Sequence, residues 1–132
     1  MCLERYGTMN TMNDGMTAKQ YDIVLLLYPF SDLTGAKRRP VIVLSNTNHN
    51  NTHQDIICCP LTSNPRNPDS IAINSQDVNE GKLKYDSWAK PKNVFTAHKR
   101  MIIKHVAHLR KEQAKTIYDS INAVLEPEFA ST

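Results

Sequence analysis

The sequence predicts a mainly β fold of the α+β type, a small barrel-like sheet of five to six strands with one C-terminal helix packed on it. Short apolar runs rich in β-branched residues recur along the chain, separated by segments rich in Pro, Asn and Ser. A single stripe of apolar residues at helical spacing follows them near the C-terminus. The 132 residues suffice for one such domain.

The strands are predicted from their composition and their bounding residues. The run DIVLLLYPF from Asp22 is the first, and PVIVLSN is the second, opened by Pro40 because proline loses no ladder bond at a first strand position. DIICCPL is the third, with Cys58 and Cys59 on opposite faces as buried, reduced thiols. The segments SIAIN, SWAKPK and RMIIKHVAHL are the remaining candidates, the last with a bend.

The C-terminal helix is predicted from about Arg110 to Glu126, where Pro127 ends it. Because arginine is a poor N-cap, we expect the helix to begin a residue away from Arg110. Its apolar stripe comprises Ala114, Ile117, Ile121, Val124 and Leu125.

The domain boundaries follow from changes in composition. Residues 1–19 are polar and lack periodicity, which predicts a disordered leader, with Met16 as an alternative start; residues 20–127 form the domain and 128–132 a tail. No apolar run approaches the roughly 20 residues of a membrane span, and the N-terminus lacks the apolar core of a signal peptide. Three cysteines without a CxxC pair fit a reducing compartment, so we expect a cytoplasmic protein with no membrane contact.

The charge is mildly basic and unevenly distributed. The formal net charge is +3, and from Lys82 to Lys104 there are seven Lys or Arg residues and one acid, Asp86. Together with the cations at 37–39 they predict either a surface for a polyanion or a solvated charged face.

The sequence contains no motif that indicates a nucleotide cofactor or a metal site. The chain has no Walker loop, GxGxxG or HExxH pattern. His49 and His53 are expected in a turn, where a spacing of four does not place them on one helix face, and His105 and His108 are expected on opposite faces of a strand. We therefore predict no metal and no cofactor.

A set of hydroxyls and cations at strand ends remains. Arg39 precedes the second strand, and Thr62 and Ser63 follow the third, so pairing of these strands would bring them to one side of the sheet. A guanidinium facing hydroxyls suits a phosphodiester and the charge of a pentacoordinate phosphorane. The alternative is that both hydroxyls cap the turn TSNP.

The stretch YDIVLLLYPFSDLTGAKRRPVIVLSN, followed by DIICCPLTSNP, resembles the PemK/MazF family of toxin endoribonucleases, over about residues 20–126. The resemblance implies an SH3-like, partly open β-barrel similar to the CcdB gyrase poisons, a symmetric homodimer and a cognate antitoxin. It also implies sequence-specific, metal-independent cleavage of single-stranded RNA, usually mRNA, in which the 2′-hydroxyl attacks the adjacent phosphate to leave a 2′,3′-cyclic phosphate and a 5′-hydroxyl.

The resemblance assigns roles to individual residues. Arg39 falls on the arginine that stabilises the phosphorane, Thr62 on the catalytic threonine and Ser63 on the serine beside it. The segment 29–38 falls on the loop that covers RNA and is displaced by the antitoxin. Backbone attraction is predicted for Lys37, Arg38, Lys90 and Lys92.

The sequence departs from the family at the general base. Lys90 and Lys92 stand where some members carry an acid, and a protonated lysine accepts no proton. Asp32, His98 or no dedicated base are the alternatives. A relative that binds antitoxin, RNA or DNA without cleavage, or a CcdB-like gyrase poison, is the rival function. Candidates for base stacking are Tyr28, Phe30 and Trp88.

Overall fold

The protein is described by a computed structural model over residues 18–29, 36–64 and 68–129. Within these residues it forms an antiparallel, nearly closed barrel of eight strands with a C-terminal helix, which confirms the predicted fold class. The elements are β1 (Asp22–Pro29), β2 (Ala36–Val43), α1 (Thr47–Thr52), β3 (Asp55–Thr62), β4 (Ile71–Ile73), β5 (Val78–Asn79), β6 (Ser87–Ala89), β7 (Phe95–His98), β8 (Ile102–Leu109) and α2 (Lys111–Leu125). No helix of the described part is long and apolar enough to cross a membrane.

The sheet has the order β4-β6-β3-β2-β1-β8-β5, and β7 pairs with β3. β3 is shared along its length: its first half pairs with β7, its centre with β2 and its last two residues, Leu61 and Thr62, with β6. The predicted pairing of the second and third strands is thus confirmed, with Val41 opposite Pro60.

Alternation along the strands builds two cores on opposite faces of the sheet. The helix-side core contains Ile23, Ile42, Cys59, Leu61, Ile73, Val78, Ala89, Ala107 and Leu109, covered by Ala114 and Ile117 of α2. The second core contains Ala18, Val24, Leu26, Val41, Val43, Ile56 and Cys58. The adjacent cysteines therefore face different cores, as their spacing on a strand predicts.

The second strand starts earlier than predicted. β2 begins at Ala36, not at Pro40, because its pairing with β1 continues to Pro29. Pro40 thus lies inside the strand, one residue before Val41, which is the first residue of β2 that pairs with β3. A residue without an amide hydrogen is tolerated where one edge of a strand is unpaired. The cations at 37–39 are therefore strand residues.

The predicted asparagine-rich turn contains a short helix. The side chain of Asn46 caps α1 by accepting the His49 N–H at 2.8 Å, and the buried amide of Asn50 donates to the carbonyl oxygens of Ala18 and Ser45, each at 2.9 Å. The expectation that His49 and His53 do not share a helix face is wrong. Their rings stack with centroids 4.1 Å apart.

The helix α2 begins at Lys111, one residue after Arg110 as expected, but Arg110 is its N-cap, although arginine is a poor residue there. The Arg110 side chain makes no capping bond, and its Nε donates to the carbonyl oxygen of Gln76 at 3.1 Å. Its backbone carbonyl accepts the Ala114 N–H at 2.9 Å. The start of the helix is therefore fixed by the connection to β8 and by this tertiary contact, not by a capping side chain.

Two strands were not predicted, β5 and β7. β5 has only two residues, and β7 mixes half-buried and exposed residues without a clean alternation. Both are defined by the strands they pair with, β8 and β3.

The predicted bend in the last strand consists of two register shifts. Ile23 pairs with Ala107 but Val24 with His105, so Val106 is an extra residue; a second shift leaves out Ile103. Gly81 packs against the backbone of Val106 at φ 144°, and a Cβ there would collide with the Val106 carbonyl oxygen. A glycine is therefore required beside the first bulge.

Candidate active site

The ends of β2 and β3 bring together the arginine and the threonine singled out from the sequence. The two strands are antiparallel, so Arg39, two residues before Val41, and Thr62, two residues after Pro60, lie at the same end of the sheet. Each lies two residues beyond the last β2–β3 pair, Val41 with Pro60, and by alternation both side chains are on the face that carries the second core. Arg39 is exposed and Thr62 is half-buried.

The three consecutive cations divide between the two faces of the sheet because they lie on a strand. Lys37 and Arg39 share the face of Thr62, whereas Arg38 points to the other face, where it pairs with Leu27. All three cations are exposed. Lys37 is therefore placed to add positive charge beside Arg39, and Arg38 acts on a different surface.

The Thr62 hydroxyl has a local partner. Its Oγ1 accepts the N–H of Asn64 at 3.1 Å, which is the turn-capping role that the sequence left open. A hydroxyl that accepts a hydrogen bond keeps its own hydrogen to donate. The cap therefore orients Thr62 without using up its donor. Ser63 follows as an exposed residue at the end of the strand.

Lys90 and Lys92, which stand where an acid was expected, lie next to this end of β3. The backbone N–H of Lys90 donates to the carbonyl oxygen of Pro60 at 3.0 Å. Lys92 Nζ lies 3.1 Å from Asp69 Oδ2, a pair that is about half exposed on both sides. Asp69 was not predicted as a site residue from the sequence, because it lies 23 residues before Lys92, its partner in this contact. Such an exposed pair is worth at most about 1 kcal/mol, so a phosphate can displace the carboxylate.

His98 lies at the far end of β3. It pairs with Asp55, seven residues from Thr62 and hence about 23 Å away along the strand. Its Nδ1 accepts the Arg100 N–H at 3.1 Å, which leaves Nε2 to donate to Gln54 Oε1 at 2.8 Å. Burial and the charge of Arg100 lower its pKa. One chain therefore does not bring His98 to Arg39 and Thr62.

Some of the predicted residues cannot be placed. Asp32 and Phe30 lie outside the described residues, and the side chain of Tyr28 is not described either. At the position where an acid was expected, the described residues are Lys90 and Lys92, and a carboxylate in contact there is that of Asp69, which pairs with Lys92.

A second polar cluster joins β1 to β8. The buried residue Asp22 has its carboxylate 2.8 Å from His108 Nδ1 and 3.4 Å from His105 Nε2, and the carboxylate accepts the Lys19 N–H at 2.9 Å. The expectation that the two histidines face opposite sides is wrong, because the bulge at Val106 adds one residue between them. Within the described segments no group of three or more His, Cys, Asp or Glu residues could hold a metal ion.

The cysteines of β3 are free and buried, as predicted. Burial and the neighbouring Cys59 raise the pKa of the Cys58 thiol to about 12, and burial raises the pKa of the Cys59 thiol to about 12. A thiol of so high a pKa is a poor nucleophile at neutral pH, so the chemistry of this site does not pass through β3 thiols.

The fold and the site define a small antiparallel barrel with a helix at its end and with cations and hydroxyls at one edge. Residues 19–125 match the sequence profile of the family described as PemK-like, MazF-like toxin of type II toxin-antitoxin system. The chain belongs to this family, which confirms the resemblance.

Solved structures of low identity share the fold. A MazE-MazF crystal structure from Deinococcus radiodurans has a TM-score of 0.71 at 17% identity, covering 86% of this chain and 100% of that one. An endoribonuclease in complex with its cognate antitoxin from Mycobacterial species has a TM-score of 0.64 at 15% identity, covering 86% and 97%. The Mycobacterium tuberculosis toxin MazF-mt6 has a TM-score of 0.61 at 14% identity, covering 80% and 99%. No curated protein matches the chain.

Proposed function

We propose that this toxin is an endoribonuclease that cleaves single-stranded RNA without a metal ion. The observation that carries the proposal is the position of Arg39 and Thr62 at the same end of neighbouring strands, in a chain of the toxin family. A guanidinium keeps its charge at all relevant pH values and fits two phosphate oxygens at once. Thr62 and Ser63 add hydroxyl donors on the same phosphate.

In the proposed reaction the RNA 2′-oxygen forms a bond to the adjacent phosphorus while the bond from phosphorus to the 5′-oxygen breaks. The 2′-hydroxyl proton leaves, the 5′-oxygen gains a proton, and the products are a 2′,3′-cyclic phosphate and a 5′-hydroxyl. Arg39 stabilises the negative charge that is greatest at the phosphorane, which lowers the barrier more than it strengthens substrate binding.

The general base that removes the 2′-hydroxyl proton has three alternatives: His98, Asp32 or no dedicated base. The distance of His98 from Thr62 argues against this histidine within one chain. Asp32 and the absence of a dedicated base remain. Without a base the reaction depends on charge stabilisation alone, and Lys90 would contribute by lowering the pKa of the attacking hydroxyl. A rate constant that rises about tenfold per pH unit between pH 5 and 9, without a plateau, would favour Arg39 acting without a dedicated base, whereas a carboxylate base would level the profile above its own pKa.

Two partners follow from this proposal. The first is a cognate antitoxin, which we expect to cover the cationic end of the sheet; one structure of similar fold is an endoribonuclease in complex with its cognate antitoxin. The second is another copy of the chain. Val124 and Leu125, which belong to the predicted apolar stripe of the helix, are 56% and 70% exposed, and Tyr118 and Phe129 are 52% and 79% exposed. We propose that this end of α2 is covered in a homodimer.

The rival function is a binder of RNA, DNA or antitoxin that does not cleave. The lysines at the position of the expected acid favour it, because they support phosphate binding and cannot accept a proton. A gyrase poison would arrest growth as a nuclease does, so growth arrest alone does not separate these functions. Cleavage of RNA does.

The test is incubation of the purified protein with a long single-stranded RNA in EDTA, with cleavage sites mapped by primer extension. Arg39→Ala should reduce the rate constant by about 100- to 1,000-fold. Arg100→Ala, which removes an exposed cation next to His98, is the matched control and should cleave normally. A 2′-deoxy substitution at the mapped site should abolish cleavage. Intact RNA at enzyme excess, or cleavage of the deoxy substrate, would contradict the proposed reaction.

A further inference from the structure

Trp88 is the single tryptophan of the chain and lies at the centre of β6. Its neighbours Ser87 and Ala89 are both buried, and Ala89 belongs to the helix-side core. Because side chains alternate along a strand, the indole points to the opposite face of the sheet. This is the face of Arg39 and Thr62.

The indole is not a core side chain. Trp88 is half-buried, yet it belongs to neither of the two hydrophobic cores and to neither set of partly buried residues packed against them. The partly buried aromatic residues that do pack on the cores are Tyr21 and Phe95. A large aromatic side chain outside the core calls for another explanation of its position.

Trp88 is paired directly with Thr62 of β3 on one side and with Ala72 of β4 on the other. Directly paired residues have Cβ atoms about 4.5–5.5 Å apart and point to the same face. One transverse row thus runs from Thr62 through Trp88 to Ala72, and Arg39 lies at the same end of the sheet, two residues beyond the last β2–β3 pair. Ala72 is exposed and small, which leaves the indole accessible from that side.

We infer that Trp88 is the stacking platform for the base next to the phosphate that Arg39 and Thr62 contact. The inference rests on the proposed function in taking single-stranded RNA as the ligand. An aromatic side chain one strand away from a phosphate site receives the neighbouring base, since the ribose joins the two. Every base can stack through its π face, so Trp88 sets the position of the RNA strand on the site.

The sequence offers a direct readout, because Trp88 is the only indole and the tryptophan fluorescence, excited selectively over that of the tyrosines, comes from it alone. The probe is a 2′-O-methylated single-stranded RNA oligonucleotide, which cannot be cleaved by 2′-hydroxyl attack. Its binding should quench the fluorescence, and an oligonucleotide without bases should quench much less. Trp88→Ala should weaken binding by about 5- to 150-fold, measured by anisotropy of a labelled probe.

Two further variants separate stacking from folding. Trp88→Phe keeps a flat aromatic surface and should restore most of the lost affinity. Tyr85→Ala removes an aromatic side chain that is 70% exposed, outside the row, and should bind as the wild type does. Equal affinity of Trp88→Ala and wild type, or no quenching on saturation, would overturn the inference.

The outcome for Trp88 is independent of the outcome for cleavage, since the probe cannot be cut. Binding that depends on Trp88 in a protein that leaves ordinary RNA intact would overturn the proposed nuclease and keep the stacking platform. Cleavage that is lost in Arg39→Ala, together with binding indifferent to Trp88, would keep the nuclease and overturn the platform.

Discussion

Asp22 Oδ1 and His108 Nδ1 lie 2.8 Å apart and join the first strand of the barrel to its last long strand, 86 residues later. Asp22 also closes the turn that leads into β1, because its carboxylate accepts the Lys19 N–H while its own N–H donates to the Lys19 carbonyl oxygen. A single buried carboxylate therefore fixes both the entry of the chain into the barrel and its closure by β8.

Replacing this carboxylate should destabilise the fold. Asp22→Asn keeps the shape of the side chain but removes the charge that the two histidines and the Lys19 N–H contact. We expect the free energy of unfolding, from urea titration followed by circular dichroism, to fall by about 1.5–3 kcal/mol. Asp119→Asn is the control: it breaks an exposed pair with Lys115 and should change stability by less than about 0.5 kcal/mol. Equal effects of the two variants would contradict the role of Asp22.

The glycine beside the β8 bulge should not tolerate a side chain. In Gly81→Ala the Cβ would meet the carbonyl oxygen of Val106, and the backbone would have to hold φ 144° with a side chain. We expect a loss of at least about 2 kcal/mol in the free energy of unfolding. The adjacent exposed Lys82→Ala should lie within about 0.5 kcal/mol of wild type. A stable Gly81→Ala variant would mean that the bulge shifts easily.

The β3 thiols should be protected from reagents in the folded state. In a Cys2→Ser background, Cys58 and Cys59 should react with a disulfide reagent at pH 8 roughly 100-fold or more slowly than in urea. Their raised pKa also has a consequence for stability. The unfolded chain loses its thiol protons from about pH 9, whereas the folded chain holds them to about pH 12, so the free energy of unfolding should fall across this window. Rapid labelling of the native protein would contradict the burial of these thiols.

The end of α2 should control self-association. Leu125→Glu places a charge on a side chain that is 70% exposed, so the fold should remain intact by circular dichroism. If this end is covered in a homodimer, burying the unpaired charge should shift the mass in light scattering towards one chain. Glu126→Lys, also a charge change on an exposed residue, is a control for charge alone. A wild-type mass of one chain at high concentration would contradict the dimer.

The local sequence pattern correctly predicted those elements whose position depends on their own residues. β1 and β3 are apolar runs that fill both cores, and α2 has a stripe in which Ile117 is fully buried. The position of Arg39 and Thr62 at one end of the sheet could be predicted because sequential strands commonly neighbour each other.

Tertiary structure decided the features that the sequence did not reveal. The start of β2 depends on continued pairing with β1, and α1 depends on the buried amide of Asn50. The contact of both histidines with Asp22 depends on bulges that only the pairing with β1 defines. The position of Trp88 depends on which strands flank β6. None of these is visible in a window of a few residues.

The bulges of β8 also bear on how sequences of this family should be aligned. Ile102, His105 and His108 follow one another at intervals of three and share the face of Leu26, Val24 and Asp22, which follow at intervals of two. Between Ile102 and His108, Ile103 and Val106 are thus the two positions with no counterpart on β1. A relative that lacks one of them needs a gap at that point, because an ungapped alignment would assign every preceding residue of the strand to the wrong side of the barrel wall.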